Sequence, residues 1–290
     1  MQQHHPHITL TLIRRALKEA GYDVYGSTRS VQSAAPSTFT PVYGDYTNRE
    51  DLDRMLSTTG AKKMFAITDF FGAAGKKIGV EVAHGRAAID AAKTAAVDHV
   101  VFCSVIDAEQ MPVECEHIKS KVDIEKYVKS SGVNFSILRP CAFFENLDDA
   151  SNWNPLKKGS LKFLMDQTCT WCSTYDIGRA AAAQFKNPSK WLGQTLDVVS
   201  YQGDLCQVAK ALETVGGVPV SYGLAVPMCV RGLLVGQDLH QMCNYFQEHR
   251  GVPHAQERIA TFKAVVPAAF SAEDWFRFHN KYADGTKIAQ

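Results

Sequence analysis

An α/β fold built on a parallel sheet is predicted by three features of the sequence. Strand-like and helix-like segments alternate through the first half of the 290 residues, the order that makes parallel strands with crossover helices. The chain opens on a helix, a glycine and a short strand ending in Arg29, which is the second half of a nucleotide-binding βαβ unit. Beyond Asn146 the alternation loosens into helical segments and prolines, the mark of a smaller, mostly helical lobe.

The first helix is read over Ile8 to Ala20, where Leu10, Ile13, Ala16, Leu17 and Ala20 recur at helical spacing and Gly21 stands at the expected stop. Asp23 to Arg29 is a strand. Phe39 to Tyr43 is the next strand, followed by a helix near Glu50 to Ser57, a strand from Lys63 to Thr68, a helix near Ile78 to Ala95 and a strand from His99 to Ser104. A helix from about Cys115 to Ser130 leads into the strand Asn134 to Arg139, which Pro140 stops at the sheet's carboxyl edge. Ligands of such sheets bind at that edge.

In the second half, Thr168 to Ser173 is a short strand. Asp176 is placed to cap a helix running through Ala183. Leu196 to Ser200 is a strand, Leu205 to Val215 a helix, and apolar helical segments near Val230 to Phe246 and Ala272 to Tyr282 complete the lobe. The expected division is a nucleotide-binding domain over 1–150 and a smaller lobe over 151–290, with segments near 168–200 returning to the first.

Charge excludes one class of function. With 31 basic against 30 acidic residues the formal net charge is +1, which offers no electrostatic footprint for direct nucleic-acid binding or for an anionic membrane. No apolar run reaches the roughly 20 residues of a spanning helix, so a cytoplasmic protein is expected, with the nucleus as the other option. The eight cysteines are scattered, and Cys169 and Cys172 form the one close pair, without the second pair or histidines that zinc would need. No metal is expected. His4, His5 and His7 read as a floppy terminus rather than a chelating site.

Several ordered segments together resemble the NmrA-like family, an atypical branch of the short-chain dehydrogenase/reductase superfamily. They are Thr28-Arg29, Gly44-Asp45, Thr68-Asp69-Phe70-Phe71, Ser104, Lys121, Asp176-Ile177-Gly178, Asp274-Trp275 and, most specific of all, Leu138-Arg139-Pro140-Cys141-Ala142-Phe143-Phe144-Glu145-Asn146. The resemblance implies a Rossmann-like doubly wound sheet and a bound NADP. It places Arg29 at the adenosine 2′-phosphate, Asp45 beside the adenine, Thr68, Asp69 and Phe70 in the loop over the cofactor, and Ser104, Pro140 and Phe143 toward the nicotinamide. Arg29 favours NADP over NAD, since its planar fork suits a phosphate. Phe143, Phe144, Trp153 and Trp171 are candidates either for a substrate wall or for core.

The sequence departs from that family in two places. No apolar strand and glycine turn precede the first helix; Met1 to His7 stand there, and imidazoles and Pro6 cannot cradle a pyrophosphate as glycine amides do. Gln2-Gln3 resembles the residues that follow the family's phosphate turn, so the chain is expected to be a truncated form. The alternatives are a gap filled by another segment or subunit, or a sheet closed by pairing the strands on either side of it. Second, His117 stands four residues before Lys121, where the superfamily has a proton-donating Tyr. His117, Lys121, Ile124 and Val128 share one helical stripe, apolar toward the core and polar toward the cleft. Lys121 would then hold the ribose hydroxyls or act as acid/base, and His117 is a further catalytic candidate.

Three functions compete on this reading. The first is an NADP(H)-binding redox sensor or regulator, with weak or no turnover and a protein partner. The second is an NADPH-dependent oxidoreductase or isomerase that uses Lys121 on a small carbonyl or aromatic metabolite. The third is a scaffold that binds no nucleotide. A homodimer is among the expected assemblies.

Overall fold

The structure is a computed structural model that describes residues 6–28, 39–148, 156–157, 159–279 and 282. Arg29 and Trp153, like His4 and His5, lie outside the described residues. Helix α1 (Pro6–Glu19) turns Leu12, Ile13, Ala16 and Leu17 inward. It closes at Gly21, whose φ of 89° lets the Tyr22 amide donate back to the Leu17 carbonyl at 3.2 Å. Strands β1 (Tyr25–Thr28) and β2 (Thr40–Tyr43) pair in parallel. Then come α2 (Arg49–Thr59), β3 (Lys63–Ile67), α3 (Ile78–Thr94), β4 (His99–Cys103), α4 (Glu116–Ser130) and β5 (Phe135–Pro140).

After β5 the chain runs through β6 (Ala142–Phe143), a short 3₁₀ turn at Phe144–Asp148, β7 (Leu156–Lys157), β8 (Ser160–Phe163) and β9 (Cys169–Cys172). It continues through α5 (Thr174–Lys186), α6 (Pro188–Trp191), β10 (Thr195–Val198), β11 (Tyr201–Gly203), α7 (Leu205–Gly216) and β12 (Ser221–Leu224). Helices α8 (Met228–Val235), α9 (Gln237–Glu248), α10 (Ala255–Val265) and α11 (Ala272–Phe278) complete it. None of the described helices is long and apolar enough to cross a membrane.

The main sheet has the order β10-β5-β4-β3, all parallel, so β10 returns from the second half of the chain to pair with β5. Its fully buried central strand β4 shows why helices cover both faces. Val100 and Phe102 pack with Leu52, Ile89, Ile124 and Val128 of α2, α3 and α4, whereas Val101 and Cys103 join the larger core with α1 and α5. This is the doubly wound arrangement.

The sheet is in two pieces. Among the described residues β1 and β2 form a separate pair, and no ladder bond joins β1 to β3. Direct closure of these strands, one of the three arrangements open from sequence, is therefore not adopted. The result leaves β3, four of whose five residues are the apolar Met64, Phe65, Ala66 and Ile67, at a sheet edge with only Ala66 buried.

On the far face α1 lies against α5, and Gly178 sets their separation. A Cβ at Gly178 would sit 2.8 Å from the Ile13 carbonyl oxygen and 2.9 Å from the Ile13 Cα, both backbone atoms that cannot swing aside. Gly178→Val is therefore expected to destabilise the protein by at least about 2 kcal/mol, read as a lower urea midpoint. A midpoint unchanged from wild type would show that α1 is free to move off α5.

The part of the chain after β5 is less helical than its sequence implies. It holds the three-stranded sheets β11-β9-β6 and β12-β8-β7, and α10, α6, β7, β8, β11 and β12 are elements that the sequence pattern did not reveal. Cys169 and Cys172 lie in β9 with Trp171 stacked on Phe144. All eight cysteines are free thiols, and burial pushes those of Cys169 and Cys172 well above the usual range.

Candidate functional site

The carboxyl ends of β3, β4 and β5 bring together Thr68, Ser104 and Pro140, as parallel strands must when their registers match. Ser104 is 5% exposed, its amide donating to the Leu138 carbonyl at 2.8 Å. Phe143 follows in β6, half-buried. Across the split, Asp45 follows β2 and accepts from the Thr47 amide at 2.9 Å and the Thr47 hydroxyl at 2.6 Å, the geometry of an Asx turn. Asp69 does the same for its own loop, accepting from the Gly72 amide at 2.9 Å and the Ala73 amide at 3.1 Å. The loop in turn buries Phe70 and sets its ring edge-on to Phe71, 5.3 Å between centroids.

Lys121 is brought to this edge by α4, but its ammonium is occupied. Nζ donates to the Thr68 carbonyl at 2.8 Å, to the Thr68 hydroxyl at 2.6 Å, and to the carboxylate of Glu81. An ammonium has three protons to donate, and three acceptors take them. Glu81 is fully buried on α3 and receives the Thr68 hydroxyl at 2.7 Å and the Ser120 hydroxyl as well. The cluster locks β3, α3 and α4 together. Sequence reasoning missed Glu81, though its signal was present: Ile78, Glu81, Gly85, Ile89 and Ala92 share one stripe of α3, and a carboxylate on a stripe otherwise apolar needs a buried cation.

His117, one turn before Lys121, is bound elsewhere. Its Nδ1 lies 2.5 Å from Asp238 Oδ1 on α9, and its ring meets Phe71 at 5.2 Å and Phe70 at 6.2 Å between centroids. A carboxylate on one ring nitrogen fixes the tautomer and leaves the other nitrogen to donate or accept. Asp238 could not be found from sequence, since 121 residues separate it from His117.

The most specific sequence segment is structural. Arg139 forks onto Glu125 at 2.8 and 2.6 Å. Burial pushes the Glu125 carboxyl up, but Arg139, Ser104 and Lys129 together hold it below its usual range. Glu145, 6% exposed, accepts the Ser173 hydroxyl at 2.8 Å, the Thr174 amide at 3.1 Å and the Trp275 indole N–H at 3.0 Å. This one carboxylate ties three distant stretches of the chain together. The cap of α5 is Ser173, whose hydroxyl accepts the Tyr175 amide, and not Asp176 as the sequence pattern indicated.

Asp176 instead accepts the Phe270 amide at 2.8 Å and Arg179 at 3.1 Å in the interior. Burial drives its pKa up to about 6 from 3.8, against the pull of those partners. Between these values the native state binds the extra proton, so Asp176 contributes stability that declines as pH rises from about 4 to about 6. Asp176→Asn should therefore gain on wild type across that window, by at most about 3 kcal/mol. Urea midpoints of both proteins at the two pH values check it; a gap that stays constant would contradict the raised pKa.

By position these strand ends fit the ring and ribose portions of a dinucleotide. The ammonium of Lys121 at this edge is taken up by Glu81 and Thr68.

Comparison with known proteins places this geometry among relatives. The NmrA-like family model matches residues 8–275. The chain is 32% identical over 111 residues to the Prestalk A differentiation protein A of Dictyostelium discoideum, a match that covers 38% of this chain and spans about a third of that protein, 34%. Two solved structures cover nearly all of it. NmrA, a negative transcriptional regulator in complex with NADP, superposes with a TM-score of 0.70 at 20% identity, covering 97% of this chain and 95% of that one. The NADPH-dependent quinone oxidoreductase QOR2 of Escherichia coli, complexed with NADPH, gives 0.69 at 18% identity over 93% and 95%.

Proposed function

The chain belongs to the NmrA-like family, and we propose that it is an NADP(H)-binding regulatory protein with weak or no turnover. The observation that carries this reading is the saturated ammonium of Lys121. An ammonium held by a buried carboxylate, the Thr68 carbonyl and the Thr68 hydroxyl has no N–H left over for substrate, and no tyrosine precedes it by one turn. The solved relatives support the nucleotide, since one regulator and one reductase of this fold are each named with NADP or NADPH. Preference for NADP over NAD rests on the place of Arg29 in the sequence.

The test is NADPH consumption with a panel of quinones, aldehydes and enones, followed by nicotinamide absorbance. No turnover above background is expected. Should turnover be seen, Lys121→Ala alone would not assign it, because stripping a buried pair of its cation costs about 3 to 5 kcal/mol of stability. The paired variant Glu81→Gln with Lys121→Met removes both charges; if Lys121 is structural, any residual turnover survives in it.

One observation favours the oxidoreductase as the second reading, through a different residue. The Asp238 carboxylate orients His117 as a proton donor would need to be oriented. On that reading His117→Gln abolishes turnover while Lys121 is left intact.

A further inference from the structure

The ion pair at the strand ends is asymmetric. The side chain of Glu81 is fully buried, whereas that of Lys121 is 12% exposed, so the lysine is the partner that can leave for the cleft. Close helix packing fixes the carboxylate. Gly85, one turn after Glu81 on α3, lets Ile124 of α4 lie against the helix, and a Cβ at Gly85 would stand 2.8 Å from three atoms of that side chain.

The carboxylate also has donors besides the lysine. Its Oε1 accepts the Thr68 hydroxyl at 2.7 Å, and its Oε2 accepts the hydroxyl of Ser120, itself fully buried. Departure of the ammonium therefore leaves a buried carboxylate with two hydrogen bonds, which costs less than leaving it bare. Docked and extended lysine are two positions of one side chain, and the charge-assisted bond to Glu81 favours the first.

We propose that Glu81 is an internal competitor that withholds the Lys121 ammonium from any ligand at the carboxyl ends of β3, β4 and β5. A ligand offering hydroxyl or anionic oxygens gains the ammonium only in the extended fraction, and whatever affinity that contact supplies is cut by the same fraction. Ser120 sets the fraction from the other side. Its hydroxyl is one of the two donors the carboxylate keeps when the lysine goes, so it eases departure. Withholding from a nucleotide in particular rests on the function proposed above, whereas the competition for the ammonium does not.

Reductive methylation of the full chain with formaldehyde and cyanoborohydride, followed by mass spectrometry of the Lys121 peptide, reads the extended fraction. Exposed Lys119 is the internal reference. Glu81→Gln keeps the shape but replaces a charge-assisted bond by a neutral one, so Lys121 should be modified about 10-fold faster than in wild type. Ser120→Ala should act in the opposite sense and slow modification, since the carboxylate then depends more on the lysine. General loosening of the cluster would speed modification in both variants. In NADPH titrations Glu81→Gln should bind about 10-fold tighter, and adding Lys121→Met should cancel that gain. Modification of Lys121 at the wild-type rate in Glu81→Gln overturns the proposal, as does faster modification in Ser120→Ala, a milder variant that decides the matter even where Glu81→Gln does not fold. An affinity gain that survives in the double variant also overturns it, by assigning the effect to the lost negative charge alone. The two opposite shifts in modification with no NADPH binding by any of the proteins would uphold the competition and refute the nucleotide reading instead.

Discussion

Glu145→Ala is expected to lose about 3 to 5 kcal/mol of folding stability, a large part of what a domain of this kind has. The Glu145 carboxylate is buried where the 3₁₀ turn after β6 meets the first turn of α5 and the indole of Trp275. Alanine removes the acceptor and leaves the Thr174 amide, the Ser173 hydroxyl and the Trp275 N–H in a dry interior, each at about 1 to 3 kcal/mol. It also opens a cavity beneath Phe144, which is stacked between Trp171 and Trp275. Glu145→Gln keeps the shape and one acceptor, so it should lose less than half as much. Urea denaturation of both variants checks this; a loss below about 1 kcal/mol in the alanine variant would mean that the three donors find other partners.

The second large effect concerns the split sheet. Fusing an apolar strand and a glycine-rich turn ahead of Pro6 is expected to raise affinity for NADPH by at least about 100-fold, since amides at a helix N-terminus are the natural seat of a pyrophosphate and each tenfold is about 1.4 kcal/mol. The same fusion should raise the thermal midpoint, because the edges of β1 and β3, which have no ladder partner among the described residues, would gain one between them. Paired measurements of midpoint and affinity separate the two effects. A fusion that stabilises without tightening NADPH would show that the strand is accommodated but contributes nothing to phosphate binding.

Much of the first half was legible because its signals are local. The apolar stripe of α1, the strand that Pro140 ends and the glycine that closes α1 each lie within a few residues of their cause. The second half resists such reading. β7, β11 and β12 are two to four residues long and exist only through partners far along the chain, such as Leu224 against Phe163. Helix α10 mixes Gln256, Glu257 and Arg258 with its apolar positions, which blurs its period. At the site, Thr68, Ser104, Lys121 and Pro140 were reachable from their order along the chain. What holds them was not. Glu81 carries a faint signal in its stripe, while the contact between His117 and Asp238 is purely tertiary.

The central claim is that this chain binds NADP(H) and does not consume it. Nicotinamide fluorescence during titration with NADPH, and with NADH in parallel, tests it most directly. Saturable enhancement with NADPH, weaker with NADH, and no decay of the bound signal after a quinone is added are the predicted results. A signal that never saturates, or one that decays in proportion to protein concentration once the quinone is present, would contradict the account.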